Sequence, residues 1–255
     1  MEQVVLLPGL MCDERLFEPL IKLLKPNYHV HVPIMDTHKS IDGMAKYLLN
    51  TISGSFHLVG LSMGGIIAMT VAIKDPSRVK SMVLMDTSPH SDSVRKQAVR
   101  DKQIETVNQP SDLARIVAQE LKPNYVHDRS SNEHVLKLCM KMAMDLGCEV
   151  FINQCSALRN RKSLMDSLSF IDCKTLVLCG EHDKLCPVTV HEEIEAKISN
   201  AELSIIPNCG HLPILEKPKL SSEKILAFLG EGRNCLLYTS PSPRDQRGSR
   251  MAWYA

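Results

Sequence analysis

The chain has 255 residues, a formal net charge of +1, 44% hydrophobic residues and only 4% aromatic residues. That much apolar material can fill a sizeable core, which excludes wholesale disorder, and the balanced charge excludes a nucleic-acid binder working through its overall field. No run approaches the roughly 18 apolar residues that span a bilayer, and Met1–Met11 lacks a basic start and breaks at Pro8-Gly9, unlike a secretory signal.

Glu2–Leu7 is a short Val- and Leu-rich run ending at Pro8-Gly9, the pattern of a buried strand. Asp13 can cap a helix over Glu14–Leu24, whose apolar residues recur at helical spacing, and Lys25-Pro26-Asn27 stops it. Tyr28–Ile34 predicts a second strand, Ile41–Ile52 a helix, Ser55–Leu61 a third strand and Met63–Lys74 an apolar helix closed by Asp75-Pro76. Val79–Met85 predicts a fourth strand, Thr175–Cys179 a fifth and Glu202–Ile206 a sixth, with helices at His191–Ile198 and Ser221–Leu229. Alternating strands and helices predict an α/β fold with a mostly parallel sheet of about six strands and right-handed crossovers.

Residues 91–170 break the alternation with helical patterns and no good strand, so they are expected to form an inserted helical cap. Residues 1–90 and 171–234 are then the core. From Cys235 to Ala255 the text has no helical or strand period, and it resembles translated adapter sequence. It is set aside as a non-native segment or a disordered tail. The nine cysteines lack any C-x-x-C pair, which reads as reduced thiols in a cytoplasm.

The chemistry is expected at strand ends. Gly60-Leu61-Ser62-Met63-Gly64 is a G-x-S-x-G joining a buried strand to an apolar helix, the context of a nucleophile elbow. Ser62 must sit on a sharp, strained turn, and Gly60 and Gly64 keep the crowded positions two residues away empty. A serine hydroxyl needs a base, and His211, on the loop after the sixth strand, is the candidate. Asp183, after the fifth strand, is the candidate to orient it and to stabilise the imidazolium. Asp86, ending the fourth strand, is a rival for the acid, and His182 a weaker candidate for the base.

An oxyanion needs two preorganised N–H donors. Met63, directly after the nucleophile, supplies one; the loop "PGLMCD" supplies the other, through Leu10 or, failing that, Met11. His29 and His31 share one strand face without a visible third ligand, so no metal site is expected. Glu133–Leu146 has a broad apolar face that Met140 and Met144 extend, readable as a lid over an acyl pocket or as ordinary helix packing. Met11, Met140, Met144 and Leu212 are the candidate pocket residues. Arg159, Arg161 and Lys162 read as a solvated basic face.

With these residues in view, the chain resembles the α/β-hydrolase superfamily, and within it small cap-bearing serine esterases similar to the pimeloyl-carrier-protein methyl ester esterase. The likeness rests on "LLPGLMCDERLF", "LVGLSMGGIIA", "TLVLCGEHDKLCP" and "CGHLP", and covers about residues 2–230. It departs at Pro8, where a histidine is common in that superfamily. The resemblance implies Ser62 as nucleophile, Asp183 as acid, His211 as base and Leu10 and Met63 as the oxyanion hole. It also implies a small-molecule ester substrate and no cofactor, and it allows an acyl carrier protein as partner. Nothing suggests a nucleic-acid or membrane partner. A same-fold lyase, thioesterase, acyltransferase or perhydrolase, or a ligand sensor with little turnover, would share these motifs.

Overall fold

Six apolar runs pair into one sheet in the computed structural model, which describes residues 1–230. The strands are β1 (Glu2–Leu7), β2 (Tyr28–His31), β3 (Phe56–Leu61), β4 (Val79–Met85), β5 (Lys174–Gly180) and β6 (Ala201–Ile206). They run in the order β2-β1-β3-β4-β5-β6, and every neighbouring pair is parallel. A parallel sheet is covered on both faces, so its central strands are apolar throughout and not alternating. β3 is buried at every position, whereas the edge strand β6 is buried only at Ile206. The register aligns Leu7 with Gly60 and Leu61 with Met85, which brings the C-terminal ends of β1, β3 and β4 to one edge.

The core helices are α1 (Glu18–Leu24), α2 (Ile41–Thr51) and α3 (Met63–Lys74). Between β4 and β5 the chain forms α4 (Val94–Thr106), α5 (Pro110–Ile116) and α6 (Glu133–Arg159). The last three are α7 (Val188–Lys197), α8 (Pro213–Glu216) and α9 (Pro218–Gly230). Local chemistry sets several boundaries. Asp13 accepts the Arg15 N–H ahead of a 3-10 turn that leads into α1, and the Ser40 hydroxyl accepts the Gly43 N–H at the start of α2. β2 pairs only to His31, short of the expected Ile34. Pro33 has no N–H to continue a ladder. α6 runs on to Arg159, beyond the expected end at Leu146, and takes a non-helical step at Gly147, where φ is 83°.

Two apolar layers sandwich the sheet. Leu16, Leu20 and Phe228 from α1, α9 and the turn before α1 meet Val59 and Leu178 on one face. Leu48, Ile67 and Ile194 from α2, α3 and α7 meet Leu58 and Leu84 on the other. A third, smaller cluster of Leu113, Ile116, Phe151 and Cys155 holds α5 to α6. All eight cysteines among the described residues are free thiols, and no helix among those residues is long and apolar enough to cross a membrane. The segment from Cys235 onward lies outside the described residues.

Candidate active site

The turn between β3 and α3 can be tight because Gly60 and Gly64, two residues on either side of Ser62, carry no side chains. Ser62 adopts φ 55° and ψ −115°, a conformation that costs a non-glycine residue about 1–3 kcal/mol. The surroundings hold it there: the Ser62 N–H donates to the Met85 carbonyl at 2.9 Å, and the Thr87 hydroxyl donates to the Ser62 carbonyl at 2.7 Å. A Cβ on Gly60 would stand 2.4 Å from the Gly64 oxygen, and one on Gly64 only 1.8 Å from the Leu7 oxygen. Both obstacles are backbone and cannot swing aside. Gly64→Ala is therefore expected to destabilise the fold by about 3 kcal/mol or more, at the upper end of overpacking costs. Urea unfolding measures this, and a loss below about 1 kcal/mol would refute the packing argument.

Three side chains from separate strand ends converge above this turn. The Ser62 hydroxyl lies 3.0 Å from His211 Nε2, and His211 Nδ1 lies 2.8 Å from Asp183 Oδ2. Asp183 Oδ1 accepts the Leu185 N–H at 2.8 Å. His211 and Asp183 are only 3% and 5% exposed, so the relay sits away from bulk water. Burial alone would raise the Asp183 carboxyl. The charge and hydrogen bond of His211, with the Leu185 and Cys186 N–H groups, outweigh it and hold Asp183 below the usual carboxylate range.

Asp86 neighbours Asp183 but forms no hydrogen bond to His211. It is fully buried at the end of β4, and its Oδ1 accepts the Gly180 N–H at 2.9 Å. Burial first, and then the charge of Asp183, push its carboxyl well above the ordinary value against the pull of that N–H. The folded protein thus keeps a proton on Asp86 where the unfolded chain, with a carboxyl pKa of about 3.9, has lost it. Stability from this group is full below that value and falls as pH rises toward the raised one. Asp86→Asn removes the titration, and the stability of the variant relative to the wild type is expected to rise between pH 5 and pH 8. Urea unfolding at the two pH values checks this; an unchanged difference would refute it.

The histidine loop has anchors that the sequence did not single out. The buried Glu216 carboxylate accepts the Gly210 N–H at 2.9 Å through Oε1 and the His127 N–H at 2.9 Å through Oε2. The His211 N–H donates to the Tyr125 carbonyl at 3.0 Å, and the Tyr125 ring stacks on the imidazole. His182 points away, stacked on His127 and near Glu181. His31 bonds to Gln3, and Asp183, Cys186 and His211 are the one group among the described residues close enough to hold an ion. Asp183 and His211 already spend atoms of that group on each other.

The loop after β1 faces the elbow. A Cβ on Gly9 would stand 3.3 Å from the Ser62 Cβ. The Met11 N–H is already spent on Gln154 Oε1 at 2.9 Å, and Gln154 in turn donates to the Met35 carbonyl. The Leu10 and Met63 N–H groups form no hydrogen bond within the described residues. Met63 opens α3, so its N–H is one of the orphan donors of a helix start.

Ser62 and His211 open into a cavity of about 520 Å³, whose apolar lining includes Leu10, Ile66, Leu158 and Leu212. A second cavity of about 450 Å³ shares Gly9, Cys12 and Met63 with it and extends past Val32 and Met35. Of the expected pocket residues, Leu212 lines the first cavity. Met11, Met140 and Met144 line neither; they fill or flank the small core between α5 and α6. Within the basic cluster Lys162 is exposed as expected, and only Arg161 departs from a solvated face. Arg159 pairs with Asp101 at 2.6 Å, whereas the Arg161 side chain is only 8% exposed, pairs with Asp92 at 3.0 Å and lines the first cavity. A guanidinium turns inward when a buried carboxylate awaits it.

A model of the alpha/beta hydrolase family matches residues 4–221. The human monoacylglycerol lipase ABHD6 is 24% identical over 265 residues, covering 91% of this chain and 76% of that protein. The pimeloyl-[acyl-carrier protein] methyl ester esterase of Legionella pneumophila is 24% identical over 245 residues, covering 85% of this chain and 90% of its own. Among solved structures, a thermophilic esterase from Thermogutta terrifontis superposes with a TM-score of 0.79 at 24% identity, over 90% of this chain and 89% of that one.

Proposed function

The chain belongs to the alpha/beta hydrolase family, and from that premise and the site geometry we propose that it is a serine hydrolase cleaving small or medium carboxylic esters through an acyl-enzyme on Ser62. The observation that carries this reading is the continuous relay of 3.0 and 2.8 Å from the Ser62 hydroxyl through His211 to Asp183.

Ser62 Oγ attacks the ester carbonyl while His211 Nε2 takes its proton. Asp183, ionised, holds the Nδ1–H and stabilises the imidazolium. The carbonyl oxygen becomes an oxyanion and receives the Leu10 and Met63 N–H groups. The tetrahedral adduct collapses, breaking the bond to the alkoxy group, which leaves as the alcohol with the proton from His211. Water, deprotonated by His211, then attacks the acyl-enzyme, and the acid departs as Ser62 regains its proton. These steps require no metal or organic cofactor.

Residues 91–170 act as a cap in this scheme, because α4, Tyr125 and Leu158 wall the cavity above Ser62. The substrate in this scheme is a small-molecule ester.

A panel of p-nitrophenyl esters from acetate to octanoate, with matched thioesters, tests the reading. Turnover of the short or medium esters is expected, together with a covalent fluorophosphonate adduct on the peptide containing Ser62. No turnover and no adduct would overturn it.

A further inference from the structure

The wall of the catalytic cavity contributed by α4 and the end of α6 carries more positive than negative charge, and one unbalanced guanidinium is largely covered. Asp92 lies at the centre, its side chain 1% exposed. Two guanidinium groups converge on it: Arg100 Nε at 2.5 Å and an Arg161 terminal nitrogen at 3.0 Å. Their side chains are 19% and 8% exposed. One carboxylate thus faces two cations that stay charged at any working pH. Arg161 is held from behind as well, donating through Nε to the His90 carbonyl at 2.8 Å.

The remaining charges of the lining do not remove the imbalance. Glu120 is engaged by Arg115 at 3.5 Å and by the Gln103 amide at 2.9 Å. Arg95 and Lys96, from the first turn of α4, add two cations that form no ion pair among the described residues. If the only role of Asp92 were to fasten α4 to the core, a single guanidinium would suffice. A second one, desolvated without an anion of its own, costs free energy that a bound anion recovers. The same cavity holds Ser62 and His211.

We infer that this wall is an anion subsite, and that the ester hydrolysed at Ser62 carries a second group that is anionic, a carboxylate or its phosphate equivalent. The inference rests on the serine-hydrolase reading above and adds the substrate class. Arg100 is the principal specificity residue, because Arg161 can satisfy Asp92 alone.

Two matched ester pairs test it and tell on which side the anion lies. Mono-p-nitrophenyl adipate against p-nitrophenyl hexanoate places the charge on the acyl side; 4-carboxyphenyl butyrate against phenyl butyrate places it on the alcohol side. The readout is the ratio of kcat/KM, charged over neutral, within each protein. The wild type is expected to favour the charged partner of at least one pair about tenfold or more. Arg100→Gln, which leaves one guanidinium to one carboxylate, is expected to bring the ratio close to one. Asp92→Asn, which frees a second cation, is expected to raise it, a direction that simple misfolding does not produce. A wild-type preference for the neutral partner in both pairs, or an Arg100→Gln ratio equal to the wild type, would overturn the inference. If the wild type turns over no ester at all, the hydrolase reading fails, and the subsite is judged by calorimetry with monomethyl adipate. Binding that Arg100→Gln abolishes supports the subsite; no binding to the wild type overturns it.

Discussion

Replacing Ser62 by alanine is expected to cut kcat/KM for p-nitrophenyl butyrate by about 10⁴- to 10⁶-fold while leaving the fold intact. The hydroxyl is the atom that forms the acyl bond, and no nearby group can take its place: Cys186 lies in the same cavity, but burial, with the charge of Asp183, pushes its thiol far up, so it offers almost no thiolate. Stability should change little. The Ser62 hydroxyl has His211 as its hydrogen-bond partner, and alanine keeps the Cβ and the backbone contacts to Met85 and Thr87. The residual rate comes from the Leu10 and Met63 donors and from binding. Steady-state kinetics beside a thermal melt read both quantities. A variant within about tenfold of wild type would remove Ser62 from the mechanism.

Asp183→Asn is the second large effect, expected at about 10³- to 10⁴-fold in kcat. An amide in place of the carboxylate presents an N–H to His211 Nδ1. The imidazole then carries its proton on Nε2, where it cannot accept one from Ser62 at 3.0 Å. The loss is one of tautomer and charge rather than shape, so KM should move much less than kcat. Asp86→Asn is the contrasting variant. Burial pushes its carboxyl well up, and it neighbours Asp183 and takes the Gly180 N–H without bonding to His211. It should therefore retain activity within about tenfold. The opposite outcome, with Asp86→Asn dead and Asp183→Asn active, would transfer the acid role to the end of β4.

Much of this site was legible in the text because its signals are local. The glycines around Ser62 follow the motif of one tight turn, and each reacting residue lies within five residues of the end of a strand run that announces itself. Other features depend on where distant segments meet. Met11 stayed open as an oxyanion donor until Gln154, 143 residues away, was seen to occupy its N–H. Glu216 and Thr87 brace the histidine loop and the elbow through backbone groups, and no spacing rule marks such partners. Arg161 sat in a basic run that reads as surface, yet the buried Asp92 draws it inward. Met140 and Met144 misled for a related reason: a flexible thioether fills whatever gap is adjacent, and here that gap is between helices and not above Ser62.

The strand order also makes turnover a clock for synthesis. The backbone partners of Ser62 and its strained turn come from β1, β3, β4 and Thr87, all within the first 87 residues synthesised. Asp183 follows about a hundred residues later, and His211 only after β6 has taken its place at the sheet margin. The residues of the elbow are thus synthesised long before the base that deprotonates it. Appearance of ester cleavage during cell-free translation would then mark the docking of the last strand, a step that collapse or helix content reports only indirectly.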